Sequence, residues 1–150
     1  MADPFRYYLR VRYGECDAQK VVFNARYAEY VDLAATEFTR ALGFGEALIQ
    51  GEIDYQLVKQ TIEWKKPARF DQVLELRVWA SRLGNTSFTF QTEIRIAGED
   101  TQPIATAETI YVLVDANTLE KRSLPHDFRR ALEAGAPGQF IDHANYRPRE

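Results

Sequence analysis

Between Asn24 and Leu42 the chain repeats apolar residues at the spacing of one helical face, and no later stretch up to about Asp115 does the same. Tyr27, Tyr30, Val31, Ala34, Phe38, Ala41 and Leu42 fall at i, i+3, i+4, i+7 intervals, with Asp32, Thr36 and Arg40 elsewhere around the axis. Asn24 is a residue type that caps helix starts, and Gly43 one that ends them. So wide an apolar face, kept low by Ala34, Ala35 and Ala41, predicts an element that wraps the helix closely. With one long helix available, strands must supply that cover.

The strands are legible by their period of two. Before the helix, Tyr7, Leu9, Val11 and Tyr13 alternate with Arg10 and Arg12, and Gly14 ends the run. After it, Gly43, Gly45 and Gly51 mark a flexible connection. Tyr55 and Leu57 share one parity, then Val58, Ile62 and Trp64 the other, which predicts a bulge near Leu57–Val58. Lys65 to Arg69 form a turn, and Leu74, Leu76, Val78 and Ala80 make the next strand. Gly84-Asn85 is a hairpin signal before Phe88, Phe90, Ile94 and Ile96, and Gly98-Glu99-Asp100 turns the chain again. Ile104 to Asp115 is apolar on both parities near Ile110–Val114, as a central strand or one covered by a second subunit would be. Pro125 to Ala134 fits a short helix, and the chain from Ala136 onward reads as a loose tail. This order predicts an α+β domain spanning 1–150, one helix packed by a curled antiparallel sheet, with uncovered sheet that favours a dimer.

Charge and cysteine content narrow the function. Net charge is -3, from 19 basic and 22 acidic residues without a block of either sign, so neither nucleic acid nor an anionic membrane is an expected partner. Cys16 is the only cysteine, which excludes an internal disulfide and a cysteine-rich metal site. The N-terminal residues lack the apolar core of a signal peptide, and no run approaches a membrane span; the expectation is a cytoplasmic protein.

The stretch from Glu15 to Tyr27 is where chemistry is expected. Asp17 closes the approach to a turn and Asn24 sits where the helix should begin, so the chain itself brings a carboxylate near a helix N-terminus. An ionised carboxylate can attack a carbonyl carbon or activate a water, and backbone N–H dipoles can hold the oxyanion. The plainer readings are a turn-capping aspartate and an ordinary N-cap. Cys16 reads as a small buried filler, because no histidine lies within a hundred residues of it. His126 and His143 read as solvated or capping residues, and the absence of G-x-S-x-G gives no support to an α/β-hydrolase.

Tyr13-Gly14-Glu15-Cys16-Asp17 followed by Val21-Val22-Phe23-Asn24-Ala25-Arg26-Tyr27 resembles the signature of the 4-hydroxybenzoyl-CoA thioesterase-like hotdog-fold proteins. Pro67-Ala68-Arg69-Phe70-Asp71, Gly84 to Phe88 and Ala105 to Asp115 are similar to that family's punctuation, so the resemblance covers about residues 5 to 130. It implies a hotdog fold, a long helix wrapped by a five-stranded antiparallel sheet, assembled as homodimers or homotetramers with sites at subunit boundaries. It implies hydrolysis of an acyl-CoA thioester, with coenzyme A as part of the substrate and no separate cofactor or metal. Asp17 matches the family's catalytic aspartate, and the Asn24 N–H its carbonyl-polarising amide. Gln19-Lys20 stands where many relatives have glycine.

Phe23 and Tyr27 are expected to bind substrate, Thr61 to reach the site across a dimer, and Lys65, Lys66, Arg69 and Arg82 are candidates for the phosphates of coenzyme A. Two other activities fit the fold. A hydroxyacyl dehydratase or hydratase needs a histidine near the helix, and none occurs before His126. A non-catalytic acyl-CoA-binding protein would bind without releasing thiol.

Overall fold

The computed structural model describes residues 3–99 and 102–147 of the 150-residue chain. Its strands are β1 (Phe5–Arg10), β2 (Asp54–Trp64), β3 (Val73–Leu83), β4 (Ser87–Ile96), β5 (Ala105–Val114) and β6 (Phe140–Asp142). Its helices are α1 (Arg26–Thr39), α2 (Gly45–Gln50) and α3 (His126–Ala134). One sheet runs in the order β2-β5-β4-β3-β1-β6, and α1 lies against one of its faces. Phe38 shows how the layers meet: its ring sits 5.6 Å from Phe5 on β1 and 5.1 Å from Phe90 on β4. Tyr27, Tyr30, Val31, Ala34, Ala35 and Phe38 are all buried, as the helical spacing predicts. Truncating Phe38 to alanine would cost about 3–5 kcal/mol, the range for emptying a filled core site.

The sheet differs from the expected five antiparallel strands: it has six, and β6 runs parallel to β1. Residues after Ala136, expected to be loose, fold back along the β1 edge. The Arg6 N–H donates to the Gln139 carbonyl at 3.1 Å and the His143 N–H to the Tyr8 carbonyl at 2.9 Å. Aromatic packing holds the segment, with the Tyr146 ring stacked 5.3 Å from Tyr8 and Phe140 edge-on at 6.2 Å. Three paired residues are too few to show a period of two, which is why the sequence gives no strand signal there.

Other boundaries shift for identifiable reasons. Tyr13, expected inward, is 76% exposed, because the backbone winds into a 3₁₀ turn at Tyr13–Glu15 and breaks the alternation after Val11. The glycine-rich connection is helical: Gly43 takes φ +95, the chain kinks through Arg40–Phe44, and α2 lays Ala47 and Leu48 on the core. The bulge is where alternation places it, with Val58 the extra residue between Leu57 and Lys59. β5 is central, between β2 and β4, which accounts for its two apolar faces. Gly84 and Ser87 close the β3–β4 hairpin through a 2.7 Å bond, while Asp100 of the next turn lies outside the described residues. Among the described residues no helix is long and apolar enough to cross a membrane.

Candidate active site

The loop from Glu15 to Phe23 is a miniature hairpin. The Asp17 N–H donates to the Val21 carbonyl and the Lys20 N–H to the Asp17 carbonyl, both at 2.9 Å, while Cys16 bridges Val22. A tight turn closed this way needs one residue in the left-handed region, and Lys20 supplies it at φ +62. That is the point at which Gln19-Lys20 stands in place of a relative's glycine. The loop is anchored to the β2–β3 connection, with the Val22 N–H donating to Ala68 at 2.8 Å and the Phe70 N–H to Lys20 at 3.1 Å.

A cleft of about 410 Å³ opens beside this hairpin, lined among others by Asp17, Asn24, Tyr27, Trp64, Lys65 and Lys66. Asp17 is exposed, and its Oδ1 accepts the Gln19 N–H at 2.8 Å. That bond is the turn-capping role of the plainer reading, and it also fixes the carboxylate rotamer. Oδ2 has no hydrogen-bond partner among the described residues.

Asn24 is not the helix cap. The Arg26 N–H donates to Phe23 at 2.9 Å, so a turn precedes the helix, Ala25 takes the cap position, and no side chain caps it. The shift leaves the Asn24 and Ala25 N–H groups without partners among the described residues, next to the positive end of α1. Tyr27 is buried, its hydroxyl accepting the Ala68 N–H at 3.0 Å and its ring edge-on to Trp64 at 6.1 Å. Burial raises the Tyr27 pKa, so the phenol stays neutral.

Two expected residues lie elsewhere in the chain. Phe23 is 54% exposed and does not line the cleft. Thr61 is exposed and opposite Glu108, on the face of β2 away from Trp64. Lys65 and Lys66 line the cleft, whereas Arg69 and Arg82 do not. His126 starts α3, and the His143 ring lies 3.0 Å from the Tyr7 hydroxyl, so neither lines the cleft that a dehydratase would need a histidine to reach. Burial pushes the Cys16 thiol up, helped by the Glu15 and Asp17 charges, which suits a filler and opposes a nucleophile. No group of residues among those described has the makings of a metal site.

Glu15 carries the densest hydrogen bonding near the loop, and sequence reasoning passes over it. Its Oε1 accepts the Tyr30 hydroxyl and the Arg12 N–H, each at 2.8 Å, and Oε2 accepts Arg12 Nε at 3.0 Å and Nη2 at 2.8 Å. Burial alone would raise this carboxyl, but the bonds from Arg12 and Tyr30 outweigh it and hold the pKa below the ordinary value. The same arrangement, with burial first, pushes the Tyr30 phenol well up. The available signal was the pairing of a buried-face tyrosine with an acidic residue just before the turn.

A family model described as the thioesterase-like superfamily matches residues 11–132. The acyl-CoA thioester hydrolase YbgC of Escherichia coli O157:H7 is 33% identical over 122 residues, 81% of this chain and 90% of that protein. The 1,4-dihydroxy-2-naphthoyl-CoA hydrolase of Synechococcus elongatus is 27% identical over 139 residues, 91% of this chain and 99% of that protein. Among solved structures, the gentisyl-coenzyme A thioesterase BH1999 superposes with a TM-score of 0.76 at 26% identity, covering 85% of this chain and 98% of its own.

Proposed function

The chain belongs to the thioesterase-like superfamily, and from that premise we propose that it hydrolyses the thioester of an acyl-CoA in the cleft that Asp17 lines. The observation that carries the reading is the meeting, in one cleft, of a carboxylate with an uncommitted oxygen and an N–H with no partner among the described residues. Asp17 acts through Oδ2, either on the thioester carbon directly or on a water that attacks it. The tetrahedral intermediate places negative charge on the former carbonyl oxygen, which the Asn24 N–H and the α1 dipole stabilise. One such donor is worth about 3 kcal/mol in the transition state. Collapse breaks the C–S bond, the thiol of coenzyme A leaves, and the acid follows once water has supplied the new oxygen.

The cleft walls support a reading of the rest of the substrate. Trp64, half-exposed and backed edge-on by the buried Tyr27 ring, presents an aromatic surface suited to a flat acyl group, and two of the similar proteins are named for aromatic acyl-CoAs. Lys65 and Lys66 put positive charge at the same cleft, where the phosphates of coenzyme A would lie. The assembled enzyme is a homodimer or homotetramer. The β1 edge is covered by β6, but the eleven-residue β2 edge has no strand beside it among the described residues and carries Leu57 and Val58 half-exposed, so a second copy would cover it.

Free-thiol release from a panel of aryl-, short- and long-chain acyl-CoAs tests the reading. Turnover is expected, fastest with an aryl group. Binding of acyl-CoA without thiol release would replace it with a non-catalytic role. A single turnover in ¹⁸O-water, followed by mass analysis of the protein, detects direct attack as label in the Asp17 peptide, which enters when water opens the mixed anhydride at the Asp17 carboxyl carbon.

A further inference from the structure

We propose that Glu15, held by Tyr30, is a positioning residue for the reaction, setting the distance between Asp17 and the Asn24 N–H. The inference rests on the thioesterase reading above. Glu15 touches neither the cleft nor anything in it; its side chain faces a separate pocket with Tyr7, Arg12, Tyr30 and His143.

Three sets of bonds meet at this one residue. Its carboxylate is tied to Tyr30 on α1 and to the side chain and N–H of Arg12, where β1 leaves the sheet. Its carbonyl accepts the Phe23 N–H at 3.0 Å, closing the hairpin that carries the site. Its N–H donates back to the Arg12 carbonyl at 3.0 Å. Asp17 is two residues beyond Glu15, and Asn24 is one residue beyond Phe23. The attacking carboxylate is therefore two residues along the chain from Glu15, and the oxyanion donor is one residue from the N–H that Glu15 accepts.

The burial of the group makes the linkage stiff. Glu15 is 6% exposed and Tyr30 1%, so the bond between them is shielded from water, while the Arg12 side chain that completes the set is 76% exposed. The Tyr30 ring is fixed in turn by Tyr27, edge-on at 6.0 Å, and Tyr27 lines the cleft. A displacement at Glu15 thus moves the loop against the helix start, a motion that changes the spacing of Asp17 and Asn24. Errors of about 1 Å in such a pair are costly to a reaction.

Tyr30→Phe removes one hydroxyl and keeps the ring; Glu15→Gln keeps size and an acceptor for Tyr30 while removing charge. Both are assayed for thiol release in the full-length protein, well below their melting temperatures, with amide exchange at Phe23 and Asn24 followed by NMR. The expected result is a fall of about tenfold in kcat for each with KM little changed, faster exchange at Phe23, and a double variant no worse than the poorer single. Lower melting with kcat and Phe23 exchange unchanged would overturn the inference and leave Glu15 a purely structural residue. A wild-type protein that releases no thiol from any acyl-CoA overturns the thioesterase reading, and the inference with it; an active wild type beside unimpaired variants overturns the inference alone.

Discussion

On one side of the loop between Arg12 and Asn24 lies the cleft of Asp17; on the other lies a pocket of about 280 Å³ that Glu15 shares with Tyr7, Arg12, Tyr30 and His143. The two carboxylates are two residues apart, yet the buried one accepts four hydrogen bonds and the exposed one accepts a single bond. Around Asp17 the Asn24 N–H and the ammonium groups of Lys65 and Lys66 also have no partner among the described residues. Around Glu15 even the Tyr7 hydroxyl is engaged, with His143 Nδ1 at 3.0 Å. A polar group whose bonds are all made within the protein can hold a shape, and one with bonds to spare can meet a substrate. The loop keeps the two kinds on opposite sides, Glu15 at the end of the 3₁₀ turn facing the pocket and Asp17 beyond it facing the cleft.

The contrast is broken most severely by exchanging roles. Asp17→Asn keeps an oxygen for the Gln19 N–H and removes only the charge, so thiol release should fall by about 10²–10⁴-fold. Glu15→Ala should instead destabilise the fold by about 1–3 kcal/mol, through the Tyr30 hydroxyl and Arg12 N–H left buried without an acceptor, a shift of several degrees in Tm by calorimetry.

Acid sharpens the same contrast. Because the folded Glu15 carboxyl titrates below its ordinary value of 4.5, its contribution to stability is complete above that pH and is lost as pH falls through the depressed folded value. Urea unfolding followed downward from about pH 6 should show this loss in the wild type, and Glu15→Gln should flatten that part of the curve.

Smaller effects belong to the cleft rim. Replacing Lys65 and Lys66 together with alanine should raise KM for an acyl-CoA by about five- to tenfold with kcat unchanged, and added salt should shrink the difference. Lys20→Gly should add about 0.5 kcal/mol in chemical denaturation, since relief of the left-handed strain slightly exceeds the entropy that glycine loses on folding. A large change in kcat from Lys20→Gly would mean that the turn is tuned beyond its shape.

What the sequence discloses follows the range of the interactions. The α1 face, the Leu57–Val58 bulge, the Gly84 hairpin and the central β5 are local patterns of period 3.6 or 2, and all are legible. Asp17 and Asn24 share a cleft because only six residues, folded as one hairpin, separate them. Trp64, Lys65 and Lys66 reach that cleft through the bonds that tie the β2–β3 connection to Lys20, Val22 and Tyr27, pairings no local period encodes. Tyr30 reads as core and is core; its hydroxyl's partner depends on a turn that spacing does not reveal. Within its own chain Thr61 takes the parity opposite to Gln60, Ile62 and Trp64, which the register shift at the bulge turns to the helix side.

One paired measurement reaches the center of this account: thermal melting and acyl-CoA thiol release on the same preparation of Asp17→Asn, beside the wild type. An uncommitted carboxylate predicts an unchanged melting temperature with release reduced at least a hundredfold, about the lower bound for losing a catalytic acid–base group. A variant that melts several degrees lower while still releasing thiol at the wild-type rate would make Asp17 a turn residue and move the chemistry elsewhere.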